Sequence, residues 1–241
     1  MKNLKAFLAV ILSFSIFLSC DKDKEEVVVK PRLEIGFDYV FGASMEDWRI
    51  EEFYVHPKTG DSLYFSMLQF YISNIQLEST NGSFYTVPGG IWLMDAEDKG
   101  LTSIVINDIP EGQYIRMHFT LGIDSLSQQF PRNGALGDLS VRIKGNSPQS
   151  QTGSFAFDFG EAENLSVLSK TLQTNFFGEP QNLMNGSKLS LLFAINPARF
   201  WHNQASLSVL NGYTGVGETA IKMTGPFFEG AYLANVQLEQ E

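Results

Sequence analysis

Three histidines, His56, His118 and His202, are the side chains of this chain best suited to hold a metal or move a proton, and Asp158 is the acid nearest such a role. No two histidines stand at ligand spacing, so a metal site would need distant imidazoles to converge in the fold. His118 alternates onto the outward face of its run with Tyr114, Arg116 and Thr120, His56 precedes Pro57 in a turn, and His202 follows Trp201. Seven methionines, among them Met94 beside Trp92, offer thioether donors for Cu(I), although methionine more often fills cores. The segment DAEDKG (Asp95 to Gly100) lacks the downstream glutamate of a calcium loop and is expected to be a turn. No G-x-S-x-G elbow or H-E-x-x-H pair occurs, and GVGETA at Gly215 is too short for a phosphate loop. Asp158 and Glu161 are close in sequence, but acid/base work is defined by spacing in space. A binding protein is expected, not an enzyme.

Short strands must position these groups. RLEIGFDYVF alternates Leu33, Ile35, Phe37, Tyr39 and Phe41 against Glu34 and Asp38, and the same period of two returns in QYIRMHFTL, DLSVRIKG, GSFAFDFG and KLSLLFAI. In QYIRMHFTL it puts Ile115, Met117, Phe119 and Leu121 inward. Turn signals such as TNG, PGG, PRNG and MNGS separate the runs, and no long stretch keeps a helical period. The pattern predicts an all-β chain, an antiparallel β-sandwich of jelly-roll or immunoglobulin-like form, with at most one or two short helices. One of these is expected at NPARFWHN, where Asn196 can cap and Pro197 suits the first helical position. In LYFSMLQFYISNIQLEST the alternation slips by one residue at Ser73-Asn74. A β-bulge there would return Ile75 and Leu77 to the face of Phe70 and Ile72, while Leu68, Tyr71, Ile72 and Ile75 also fit a helical stripe.

The N-terminus addresses the chain. MKNLKAFLAVILSFSIFLSC joins two lysines to an apolar run ending at Cys20, the single cysteine, and is expected to be a secretory leader over residues 1–19. FLSC resembles a bacterial lipoprotein processing site, which would put a lipid anchor on Cys20 and leave residues 20–31 as a charged tether before a domain over 32–241. With Lys2 and Lys5 removed, the 17 basic residues fall to 15 against 27 acidic ones, a net charge of −12 that argues against nucleic acid. Localisation in the cell envelope is expected, most simply at the outer membrane and facing either periplasm or cell surface.

Several segments together resemble the MbnP-like copper-binding family of bacterial secreted proteins and lipoproteins, known from Bacteroidetes among others. They are LEIGFDYVFG, MLQFYISNIQLESTNGSFY, IWLMDAED, INDIPEGQYIRMHFTLGIDSL, GSFAFDFGE, KLSLLFAINPARFW and EGAYLANVQL, spanning Leu33 to Leu238. The resemblance implies copper handling without catalysis, and a di-haem peroxidase-like or transport partner. It also implies histidine ligands in the first strand, in the strand ending in Asp, and in an F-H-[IL]-G motif, together with an oxidised tryptophan. Those positions hold Tyr39, Trp92 and Asp158 here, and GALGDLSVRIKGNS replaces the family's W-x-W-x-x-G-Y segment. A soft-metal site needs imidazole or sulfur donors, which Tyr, Trp and one Asp do not supply. Any metal would therefore be sought at His56, His118, His202 and Asp158. The alternative is a surface module for glycan or protein, with Trp48, Trp92 or Trp201 as stacking platforms.

Overall fold

The computed structural model describes residues 28–98, 101–132, 136–161, 164–204 and 206–240. The leader, Cys20 and the tether as far as Val27 lie outside these residues. In chain order the strands are β1 (Arg32–Phe41), β2 (Glu46–Asp47), β3 (Phe53–Val55), β4 (Ser62–Ser79), β5 (Phe84–Thr86), β6 (Ile91–Asp95), β7 (Ser103–Ile106) and β8 (Gly112–Leu121). They continue as β9 (Val141–Asn146), β10 (Ser154–Phe159), β11 (Lys170–Asn175), β12 (Gln181–Leu183), β13 (Ser187–Ile195), β14 (Gly212–Gly215) and β15 (Tyr232–Gln240). One sheet runs β15-β13-β1-β2, with β7 also on β1. The other runs β11-β8-β4-β9-β10-β14, with β3, β5 and β6 on β4 and β12 on β8. Phe37 meets Phe70 and Phe193, Phe41 meets Phe65, and Phe119 meets Phe193, so the inward faces of the two sheets share one aromatic core. The all-β sandwich-like fold expected from the alternation is present.

Two pairings depart from the antiparallel expectation. β1 runs parallel to β13 and β10 parallel to β14, each joining segments far apart in sequence that no hairpin could connect. The phase of β8 also changes along its length. Tyr114 is buried and Ile115 half-buried, while Met117, Phe119 and Leu121 face the core, so the inward assignment of Ile115 and the outward one of Tyr114 are corrected. Thr120, expected outward, is buried as well, and its hydroxyl lies 3.1 Å from Thr171 Oγ1 on the neighbouring strand β11.

The slip at Ser73-Asn74 is a bulge within an 18-residue strand. Ser73 pairs with Thr120 but Gln76 pairs with His118, so β4 spends one more residue than β8 over that interval. Asn74 takes the left-handed conformation at φ 50°, which asparagine tolerates better than most residues. Its Nδ2 donates to Asp124 Oδ2 at 2.8 Å, and Ser73 Oγ donates to the Gly122 carbonyl at 2.9 Å. The segments YISN and LGID are thus hydrogen-bond partners holding the loop after β8 against β4. Phe70, Ile72, Ile75 and Leu77 are all buried on the main core side, while Tyr71 joins Ile123 and Leu136 in a small second core on the outer face.

Among the described residues, helix is confined to short pieces. Pro197–Trp201 forms a 3-10 turn where a short helix was expected, with Asn196 Oδ1 accepting from the Ala198 amide at 3.1 Å. Glu218–Glu229 forms α1, which buries Ala220, Met223, Thr224, Phe227 and Phe228 and stacks Phe227 on Phe200 at 4.0 Å between centroids. Its Gly225-Pro226 pair looks like a turn in sequence, since Pro226 lacks an amide proton for the helix ladder.

Candidate functional site

Where β1 and β13 end side by side, one residue fastens them. Asn196 is buried; its Nδ2 donates to the Gly42 carbonyl at 2.8 Å and its Oδ1 accepts from the Gly42 amide at 3.2 Å. Against this fastening lies the turn between β3 and β4, which brings His56 under the Pro197–Trp201 segment. The result is a cavity of about 240 Å3 lined by Met45, His56, Lys58, Asn196, Arg199 and His202, among others. His56 and His202 therefore meet at one cavity together with Met45, which no spacing or motif in the sequence links to them.

The two imidazoles are not equivalent. His56 is buried, its Nε2 lies 2.9 Å from the Ala198 carbonyl, and its Nδ1 accepts the Thr59 amide at 3.1 Å. Those partners define a neutral ring with the proton on Nε2 and no nitrogen left for a metal. Burial lowers its pKa from the ordinary 6.5, outweighing the opposing Ala198 hydrogen bond and Asp61 charge, and the nearby Lys58 and His202 add smaller effects in the lowering direction. A depressed histidine pKa means the unfolded chain binds the proton more readily, so His56 costs stability as pH falls below about 6.5. In urea unfolding at about pH 7.5 and about pH 5, wild type is expected to lose more stability on acidification than His56→Gln. Equal losses would refute this assignment. His202, by contrast, is exposed at the end of the 3-10 turn, and its backbone carbonyl accepts from Lys58 Nζ.

His118 and Asp158 lie elsewhere. His118 Nε2 is 2.9 Å from Glu78 Oε2, and Arg116 Nη1 is 2.9 Å from the same oxygen. The His118 hydrogen bond, aided by Arg116, holds the Glu78 carboxyl below its ordinary 4.5. Asp158 sits on the outer face of the larger sheet in a row set by strand register, in which Asp95 faces Gln69, Gln69 faces Arg142 and Arg142 faces Asp158. Gln69 Nε2 donates to Asp95 Oδ2 at 2.6 Å, Arg142 Nε donates to Asp158 Oδ1 at 2.8 Å, and Lys144 Nζ stands 3.7 Å from Asp158 Oδ2.

A family model of MbnP matches residues 30–214. The chain belongs to the MbnP family. Among solved structures, MbnP from Methylosinus trichosporium is similar at 11% identity and a TM-score of 0.44, over 78% of this chain and 81% of that one. No curated protein matches.

The donor set of this MbnP-family chain does not fit copper at the three expected positions. Trp92 pairs with Ile72 and packs toward the main core, as does Tyr39, whereas Asp158 is on the opposite face of the sheet. Asp158 is further held by two cations, and Tyr39 keeps its proton because burial, then Asp95, raises its pKa. Among the described residues no three His, Cys, Asp or Glu side chains stand close enough to hold a metal ion. The stacking platforms are corrected in part. Trp48 and Trp201 are core residues at 5% and 1% exposure, and Trp92 alone of the three is half-buried.

Proposed function

We propose that this chain is a non-enzymatic accessory or binding protein of the cell envelope, lipid-anchored through Cys20, that keeps the MbnP scaffold and carries two core-facing aromatics and one ion-paired aspartate at the family's copper positions. The observation that supports this reading most directly is the Arg142–Asp158 contact at 2.8 Å with Lys144 alongside. Two cations against one carboxylate repel a metal ion where the resemblance would put a ligand. The arginine comes from the segment that lacks the family's tryptophans, so two departures from the family pattern meet in one contact. Cu(I) titration of the purified domain against a competing chelator tests the reading. Retention no greater than that of the His56/His118/His202→Ala triple variant is expected. Strong retention abolished by the triple variant would restore copper handling through histidines, and retention lost only in Asp158→Ala would restore it through the outer row.

A further inference from the structure

The cavity at the joined ends of β1 and β13 carries a charge pattern unlike the rest of the surface. Most basic side chains elsewhere sit on carboxylates, among them Arg116 on Glu78, Arg132 on Asp138, Lys170 on Glu229, and Lys188 on Glu34 and Glu239. Lys58 and Arg199 both line the cavity, and neither has a carboxylate within salt-bridge distance among the described residues. No Asp or Glu lines the cavity. Asp61, the acid buried near His56, has its carboxylate occupied by Ser206 Oγ at 2.6 Å and the Leu207 amide at 2.9 Å. In a chain with a net charge of −10, two cations without a carboxylate partner at one concavity make a local positive potential.

Their placement is built by the fold. Lys58 is tethered by the hydrogen bond of its Nζ to the His202 carbonyl, which uses one of three donors and leaves two. The Arg199 stem lies against Gly230, where a Cβ would come within 2.8 Å of Arg199 Cγ. Gly230 caps the C-terminus of α1, whose partial negative charge favours a cation there. Met45, Pro57 and Ala198 give the same cavity an apolar wall. At about 240 Å3 it is smaller than the usual range for drug-sized ligands, roughly 300–1,000 Å3.

We infer that this cavity binds a small organic carboxylate, its anionic end held by Arg199, Lys58 and the exposed His202, and its apolar part laid against Met45, Pro57 and Ala198. A guanidinium matches a carboxylate through paired N–H donors, and the apolar wall favours an organic anion over a hydrated inorganic one. A metal cation is disfavoured by the same two charges and by the fully engaged ring of His56. The inference is independent of what the ion-paired outer row does, since the two sites share no residue.

The test uses benzoate as probe, with benzamide and benzamidinium as neutral and cationic isosteres, on the purified protein followed by amide resonances. Saturable shifts at Gly42, Asn196 and Arg199 are expected with benzoate, and no saturable response with either isostere. Arg199→Gln should weaken benzoate about tenfold, the scale of one charge-assisted hydrogen bond lost. Ala43→Phe, which fills the cavity from an exposed rim position without touching the core, should abolish the shifts even if Arg199→Gln proves unstable. Benzamide or benzamidinium binding as well as benzoate, the absence of any saturable benzoate response, or benzoate shifts that persist in Ala43→Phe would each overturn the assignment.

Discussion

Gly145→Ala is expected to leave little folded protein. Gly145 lies in β9 opposite Phe65 of β4 and Phe155 of β10, where β4 carries another of its register shifts, between Phe65 and Met67. That irregularity presses the β4 backbone toward β9. A Cβ on Gly145 would stand 2.0 Å from the Tyr64 carbonyl oxygen and 2.5 Å from Phe155 Cζ. One obstacle is backbone and the other is a phenylalanine ring at 2% exposure in the main core, so neither can give way without moving a strand. A loss above about 4 kcal/mol is expected, in the range reserved for core and backbone disruptions. The measurement is the denaturant midpoint, or the soluble yield if no transition remains. A midpoint within about 1 kcal/mol of wild type would show that the strands are not packed as described.

Trp201→Ala should cost roughly 3–5 kcal/mol. The indole has only 1% exposure and is ringed by Phe155, Phe157 and Phe65 at 5.6, 5.9 and 6.0 Å between centroids, with His56 at 6.2 Å. Its removal leaves a void among groups that cannot collapse, because Phe155 and Phe157 are fixed in β10 and His56 by its two hydrogen bonds. Trp92→Ala, at a half-buried edge, should cost less than half as much in the same urea experiment. Comparable losses in the two variants would contradict the burial difference between them.

The strands were legible because period-two alternation is a local signal. β1, β10 and β13 begin and end within a residue or two of their apolar runs, and the bulge announced itself as a phase slip at Ser73-Asn74. Strand direction was not legible, since the β1–β13 and β10–β14 pairings depend on where a distant segment returns. The helix α1 was hidden by Gly225-Pro226, whose turn-like chemistry is overridden by burial of Met223, Phe227 and Phe228. Histidine positions were visible but their meeting was not. His56 and His202 reach one cavity through Asn196, whose hydrogen bonds to Gly42 span 154 residues of chain. Asp158 stood out as a departure from the family pattern, yet its neutralisation by Arg142 follows only from strand register.

The parallel pairing of β1 with β13 also sets how the molecule stands. The chain enters at the start of both strands, where Pro31 and Val29 carbonyls already accept from Ile109 and Gly186 at 2.9 and 2.6 Å, and the cavity opens at their far ends beside Gly42 and Asn196. Ten residues of β1 at roughly 3.3 Å each separate entry from opening by about 30 Å. The opening therefore lies at the end of β1 opposite the chain's entry. A Debye length near 8 Å at physiological salt is several times shorter than that distance, so charges at the entry end are screened from an anion at the opening.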